Sequence, residues 1–270
     1  MILSSLHIYP VKACGGIHPV EWDLDPFGFR YDRRWMLVTP RGLCLTQRDH
    51  PRLALVGVTL ADGFLSLDAP GLPSHRLDLC PSRGEVMKVQ VWDDVCTGWL
   101  VDSAADRWFS GFLGAEVRLA WMPPVTVRPA DPQFVSRLTR VSFADGFPFL
   151  LIGSGSLEDL NGRLATPLPM NRFRPNLVVS GAPPFAEDGW RRIRIGSVEF
   201  ELVKPCARCM VTTLDQETGM KGQEPLRTLA TYRRVNGEVM FGQNAVHLGQ
   251  GKLRARENVE VVASDGGGTP

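Results

Sequence analysis

The residues whose types and spacing bear most directly on chemistry lie in Lys204–Asp215, KPCARCMVTTLD. Two cysteines stand three positions apart with Arg208 between them, and β-branched residues follow. The hydrophobic run Val198–Val203 leads into the pair, so the sequence predicts a turn between two strands that carries both thiols. A thiolate on such a turn is held rigidly, and flanking cations favour its ionised form. The chemistry this permits is redox exchange or metal ligation. Three readings stay open: half of a zinc site, a thioredoxin-like dithiol, or one cysteine ligating a soft metal centre while the other is structural. Zinc lacks a second CxxC or an HxxxH at suitable spacing. The dithiol reading lacks the helix that a redox CxxC opens in a βαβ unit. Two ordinary buried thiols are the plainest alternative.

Cations form a second constellation. Lys12 falls on the first turn, Arg30, Arg33 and Arg34 precede the second strand, and Arg172 and Arg174 precede the strand at Leu177. Isolated arginines mostly form solvated faces. Lys12, Arg174 and Arg208, however, stand at predicted strand edges where loops converge, and planar guanidinium forks there suit a phosphate. Asp145 opens the turn Asp145-Gly146-Phe147-Pro148 ahead of an apolar strand, which taken alone is an ordinary turn aspartate. The five histidines show no paired ligand spacing, and no GxGxxG, Walker, GxSxG or HExxH signature occurs.

These groups must be positioned by short strands. Met1–Tyr9 alternates well enough for the first, and Trp35–Thr39, Leu43–Gln47, Leu53–Leu60, Phe64–Asp68, Arg76–Leu79 and Met87–Trp92 follow at near-regular intervals. Clusters of proline, glycine and aspartate separate them, the pattern of an all-β barrel or sandwich. Ser103–Gly114 changes to helical period, with Ala104, Trp108 and Phe112 on one face and Gly114 as the C-cap. Val117–Met122 resumes as strand. Pro123–Arg140, rich in proline and charge, reads as a linker or crossover. Beyond it, Ser156-x-x-Asp159 opens a short helix as a capping box. Arg192–Ile195 and Val198–Val203 form a hairpin about Gly196, Met210–Leu214 is a strand, and Pro225 starts a helix reaching Arg234. Val239–Leu248 and Val259–Val262 finish as strands. The expected class is mainly β with a few helices.

The totals exclude several function classes. The 270 residues are 44% hydrophobic and 22% charged, a globular composition with ample core. A net charge of +1 implies no bulk attraction to nucleic acid or membrane, so any positive site must be local. No apolar run approaches the roughly 18 residues of a membrane span. Ile2–Tyr9 leads at once into a turn and charges, so no signal peptide is expected. Six scattered cysteines in a chain this long read as reduced cytoplasmic thiols.

Several motifs gain meaning together: YPVKAC (Tyr9–Cys14), DRRW (Asp32–Trp35), DGFPFLLI (Asp145–Ile152), NRFRPNLVVSG (Asn171–Gly181), KPCARC…TTLDQETG (Lys204–Gly219), EPLRTLATYRR (Glu224–Arg234) and FGQN (Phe241–Asn244). The ordered set resembles the MOSC-domain molybdenum proteins, in particular the mitochondrial amidoxime reducing component and its bacterial relatives. The resemblance implies an N-terminal β-barrel-like domain over 1–122, a MOSC β-barrel over 123–263 and a disordered tail over 264–270. It implies a molybdopterin cofactor between the two, with Cys209 ligating molybdenum, and with Lys12, Arg33, Arg174, Asn176 and Arg208 around the pterin and its phosphate. Asp145 matches an acidic residue facing the metal pocket.

The implied activity is reduction of N-hydroxylated compounds: amidoximes, hydroxylamines or N-hydroxylated bases. Hydroxyl residues of the mitochondrial form are replaced here by Ala13, Gly146, Phe147 and Ala207, which implies backbone contacts to the cofactor and a more apolar substrate pocket. No cysteine follows Cys209. Electrons are therefore expected from a separate cytochrome b5-, ferredoxin- or flavoprotein-like donor. The competing class is a non-catalytic carrier of the cofactor, or of sulfur on Cys209.

Overall fold

Alternating burial along the strands closes the main core. In the computed structural model, which describes residues 1–265, the largest sheet runs in the order Ile2–Leu6, Leu177–Ser180, Phe149–Gly153, Glu238–His247, Val198–Ala207, Trp190–Ile195 and Val259–Ser264, with Arg234–Val235 beside Glu238–His247. Its pairings are antiparallel except Phe149–Gly153 with Leu177–Ser180, whose crossover contains the helix Ser154–Gly162. Leu3 N donates to Glu257 O at 2.9 Å and Arg256 N to Leu3 O at 2.7 Å, so the sheet curls into a nearly closed barrel. Leu3, Leu6, Phe149, Leu151, Ile193 and Phe200 fill it. The first strand of the chain is therefore held by the C-terminal half, as is Glu21–Asp25, which pairs with Lys252–Arg254.

A second core lies under the sheet Trp35–Val38, Arg118–Trp121, Asp94–Leu100, Glu85–Val91. The helix Ser103–Leu113 turns Phe109 and Phe112 into it beside Trp35 and Leu37. Asp102 caps the helix by accepting from Ala104 N and Ala105 N, and Gly114 ends it at φ 68°, a left-handed conformation that glycine adopts without strain. Phe64–Asp68 lies between Gly57–Ala61 and His75–Asp78 in a small sheet. The predicted hairpin is present, with Ile195 opposite Val198 and Gly196 at φ 55°. Among the described residues, no helix is long and apolar enough to cross a membrane.

Five local expectations need correction. The strand expected over Leu53–Leu60 begins only at Gly57, because Pro51 starts a 3-10 turn that runs to Leu55. Met210–Leu214 is not a strand: Met210–Thr213 is a single 3-10 turn. Thr212 Oγ1 donates to Cys209 O and Thr213 Oγ1 to Met210 O, so hydroxyls satisfy carbonyls that a ladder would have claimed. Ser156 does not cap its helix. It lies inside Ser154–Gly162 and donates instead to buried Glu187 at 2.7 Å. The helix expected from Pro225 to Arg234 is confined to Leu226–Leu229, beyond which Thr231 Oγ1 turns back to Thr228 O. Leu43–Gln47 makes only isolated bridges, at Leu43 and Cys44. Of the expected disordered tail, Ser264 ends a strand opposite Trp190 and Asp265 pairs with Arg191. Residues 266–270 lie outside the described part.

Candidate active site

The strand Val198–Ala207 delivers the cysteine pair. Its ladder with Glu238–His247 runs as far as Ala207 opposite Met240, and Arg208 N then donates to Val239 O at 2.7 Å. Cys206 therefore belongs to the strand. Cys209 stands past the ladder at the head of the 3-10 turn, with extended backbone (φ −114°, ψ 178°). Both thiols are free and half-buried. Cys209 offers no helix N-terminus of useful length to activate a dithiol. Among the described residues, no three His, Cys, Asp or Glu side chains gather as a group that could hold a metal ion, and a tetrahedral zinc set takes four ligands.

Both cysteines open onto a cavity of about 340 Å³. Of the residues singled out from the sequence, Lys12, Arg33, Asp145, Arg172, Arg174, Asn176, Arg208 and Cys209 line it, whereas Arg30 lies over the Tyr31 ring and Arg34 on Met122 O, away from the cavity. So do Ala13, Gly146, Phe147 and Ala207, and nothing lies within 4 Å of where a Cβ on Gly146 would stand. Seven cations line the walls (Lys12, Arg33, Arg48, Arg172, Arg174, Lys204, Arg208) against two carboxylates, Asp145 and Glu238. In a chain of net charge +1 this is a local concentration of positive charge that favours an anion.

The cations are held in different ways. Arg33 and Arg174 lie over the Tyr9 ring, 4.4 and 4.2 Å from its centroid. Both take left-handed backbone, φ 49° and 52°. Arg33 Nη1 donates to buried Asp32 at 2.6 Å and to Asn176 Oδ1 at 3.1 Å. Burial lifts the Asp32 carboxyl, although the adjoining Arg33 charge and the Tyr9 amide oppose the rise. Burial likewise lowers the Arg174 guanidinium, whose Nη1 reaches Gln216 Oε1 at 3.3 Å. The Tyr9 phenol is pushed up to about 12, chiefly by burial against the opposing pull of Arg174 and Arg33, and its hydroxyl has no partner. Arg172 and Arg208 each present a buried Nε without a partner.

Two residues make contacts that their positions in the sequence did not suggest. Asn176 is 2% exposed, and its amide donates to His7 O while accepting from Leu150 N and Arg33 Nη1. It fixes Arg33 in place. Arg208 Nη1 meets Cys206 Sγ at 3.0 Å, and Nη2 meets Phe173 O at 2.7 Å. It therefore serves the first cysteine of the pair. The cation at Cys209 is Arg48: burial disfavours its charge, but contact with the Cys209 sulfur and the Asp145 charge raise it overall.

Asp145 opens into the cavity, with its side chain 77% exposed. Lys12 Nζ donates to Oδ1 at 2.6 Å and Trp92 Nε1 to the same oxygen at 3.1 Å. Enclosure by the cavity walls disfavours the carboxylate. The Lys12 charge and hydrogen bond, the Arg33 charge and the Trp92 bond outweigh it and hold the group well below the usual range. Asp145 is thus ionised at neutral pH. Sequence reasoning singled out neither Arg48 nor Trp92. Trp92 sits at the tip of the hairpin Glu85–Val91/Asp94–Leu100, and Arg48 stacks 4.5 Å from its ring centroid. Gln47, which lines the cavity, and Gln216, both also passed over, exchange hydrogen bonds at 3.0 and 3.1 Å. No local pattern marks any of these four, because their partners lie far away in sequence.

Known proteins share this arrangement of sequence. Residues 1–116 match the MOSC N-terminal beta barrel domain and residues 139–260 match the MOSC domain. Mitochondrial amidoxime-reducing component 1 of Homo sapiens is 35% identical over 279 residues, covering 96% of this chain and 82% of the relative. The chain belongs to the MOSC family. The corresponding Mus musculus protein is 35% identical over 86% of this chain and 71% of its own length. The molybdenum cofactor sulfurase of Danio rerio is also 35% identical, over 98% of this chain but only 33% of the relative. In this MOSC protein both matched regions contribute to the cavity: Lys12, Arg33, Arg48 and Trp92 come from the first, and Asp145, Arg174 and Cys209 from the second.

Proposed function

We propose that this MOSC protein is a molybdenum-cofactor-dependent reductase of N-hydroxylated compounds, supplied with electrons by a separate redox protein. The observation that carries the reading is a cysteine past the end of the strand ladder, Cys209, facing a seven-cation cavity that also holds the ionised Asp145 carboxylate. The amidoxime-reducing relatives support it through their names and their coverage of the chain. The residues fit the cofactor. Cys209 offers a soft ligand, and the stacked pair Arg33 and Arg174 offers planar forks to a phosphate. The unpartnered Nε groups of Arg172 and Arg208 offer further donors. When bound, the molybdenum cofactor supplies the two-electron centre that accepts oxygen.

The chain's own residues perform the rest. Lys12, Arg33 and Arg174 bind and orient the anionic group, and Tyr9 keeps two guanidiniums in register. Asp145 is ionised, so it accepts a hydrogen bond from a substrate N–OH and orients it. Lys12 Nζ, bonded to Asp145, is placed beside that carboxylate and would serve as a proton donor there. We also propose a division of the chain near 122/123 into an N-terminal and a MOSC unit, and a cytoplasmic setting.

The test is turnover. Protein from a host that makes molybdopterin is expected to reduce benzamidoxime with reduced viologen and not with NADH alone. Direct NADH-driven turnover by the pure chain removes the external-donor claim. The sulfurase relatives favour a second reading, in which the chain carries cofactor or sulfur for another protein. Molybdenum-loaded protein inert toward every N-hydroxylated compound with viologen present selects that reading.

A further inference from the structure

Arg128 is 2% exposed and lies in Pro123–Arg140, a segment without helix or strand. Its guanidinium makes four hydrogen bonds. Nη1 donates to Ser142 O at 2.7 Å and Ala144 O at 2.6 Å, Nη2 to Asp145 O at 2.8 Å, and Nε to Asp94 Oδ2 at 2.8 Å. Lys12 Nζ takes the intervening carbonyl, Phe143 O, at 2.8 Å. Four consecutive main-chain carbonyls, Ser142 to Asp145, therefore accept from buried cations. The loop has no ladder to satisfy them, so these contacts set its path. A guanidinium holds them in one plane with a fixed angle, which an ammonium with three rotatable donors does not reproduce.

The same clamp reaches the hairpin tip. Asp94 opens the strand after Trp92, whose indole donates to Asp145 Oδ1. Lys12 donates to that oxygen as well, so Oδ2 remains the open acceptor of a side chain that is 77% exposed to the cavity. Nothing in the cavity lining includes Arg128 itself. Its contacts end on the main chain that carries Asp145.

We propose that Arg128, anchored by Asp94, is a positioning residue that fixes the Ser142–Asp145 main chain so that the free oxygen of Asp145 meets the substrate's N–OH group. The inference rests on the reductase reading above. Misplacing a reacting group by an ångström can lower rates on the order of a hundredfold, so a loosened clamp has a measurable effect without any change at the cofactor.

The experiment is a double-mutant cycle with a second readout that is independent of turnover. Arg128→Lys keeps the charge and loses the fork, Asp145→Asn removes the acceptor, and the two are combined. Arg128→Lys is expected to lower kcat/KM for benzamidoxime on the order of a hundredfold at unchanged molybdenum content, and to cost little more in the Asp145→Asn background. Carboxyl carbon NMR of Asp145 is the second readout. In Arg128→Lys its titration is expected to move up toward the ordinary carboxylate range, because Oδ1 slips from Lys12 and Trp92 while Arg33 and Arg48 stay in place. Asp94→Asn, at a half-exposed site, is the milder variant should Arg128→Lys fold poorly, and moves the same readouts in the same direction. Equal costs in both backgrounds, or an unmoved Asp145 titration, overturn the proposal and leave Arg128 a purely structural cation. If the titration moves while Asp145→Asn reduces benzamidoxime at full rate, the positioning contact stands and the reductase role of Asp145 falls.

Discussion

At the scale of single residues, the cysteine pair divides its labour by where the strand stops. Cys206 is still in the ladder and already has Arg208 against its sulfur, whereas Cys209 stands beyond the last pairing and faces Arg48. Cys209→Ala is therefore expected to abolish amidoxime reduction and deplete molybdenum, with far-UV circular dichroism unchanged. Cys206→Ala is expected to retain metal and part of the activity. Metal depletion in Cys206→Ala with Cys209→Ala still active reverses the assignment. The cations differ in the same way. Arg33 neutralises Asp32, which is 1% exposed, so Arg33→Ala leaves a buried carboxylate unpaired and destabilises the fold along with the site. The Arg174 guanidinium lies over Tyr9 and reaches Gln216, with no carboxylate partner among the described residues, and Arg174→Ala is the cleaner probe. A charge-assisted contact to phosphate contributes roughly 1.5–3 kcal/mol, so cofactor retention after dialysis is expected to weaken about ten-fold or more. Unchanged retention removes Arg174 from the cofactor site.

At the scale of elements, short strands with polar ends carry the stability. Asp102 satisfies two amides at the head of the helix Ser103–Leu113, which lies against the core beneath Trp35. Asp102→Ala is expected to cost ~1 kcal/mol, read as a lower urea midpoint with unchanged slope. Two strands end at histidines held neutral. His247 closes Glu238–His247 and donates to Asp25 O, and burial, against the help of that bond, takes it from 6.5 down to about 4. His7 follows Ile2–Leu6, and burial together with the neighbouring His18 takes it down to about 3. A depressed histidine binds its proton more readily in the unfolded chain, so its contribution is complete above pH 6.5 and is lost as pH falls toward the folded value. Urea midpoints are expected to fall between pH 6.5 and about 4, and His247→Gln to flatten that slope. A midpoint independent of pH in this window contradicts the neutral state of both rings.

At the scale of the whole molecule, the sequence determined the composition of the site and the strand-rich class, and tertiary structure decided the contacts. Lys12, Arg33, Asp145, Arg174 and Cys209 were singled out together only through the resemblance of their motifs, since Asp145 taken alone reads as an ordinary turn residue, and the fold brings all five to one cavity. The hairpin at Gly196 and the helix ended by Gly114 were legible, because there one residue's φ decides the turn. Two elements were misread where a side chain reaches outside its own pattern: the turn where Thr212 and Thr213 fold back on carbonyls, and the helix where Ser156 is drawn to Glu187. Arg48, Trp92 and Arg128 carry no local mark, since what gives them meaning is a sulfur, a carboxylate or a carbonyl brought up from elsewhere in the chain. The first strand is paired into the C-terminal sheet, and Gln47 of the cavity wall meets Gln216, 169 positions away. Hydrophobic periodicity reports only which face of a segment is buried. It does not say which distant segment will cover that face, and the cavity is built where those distant segments meet.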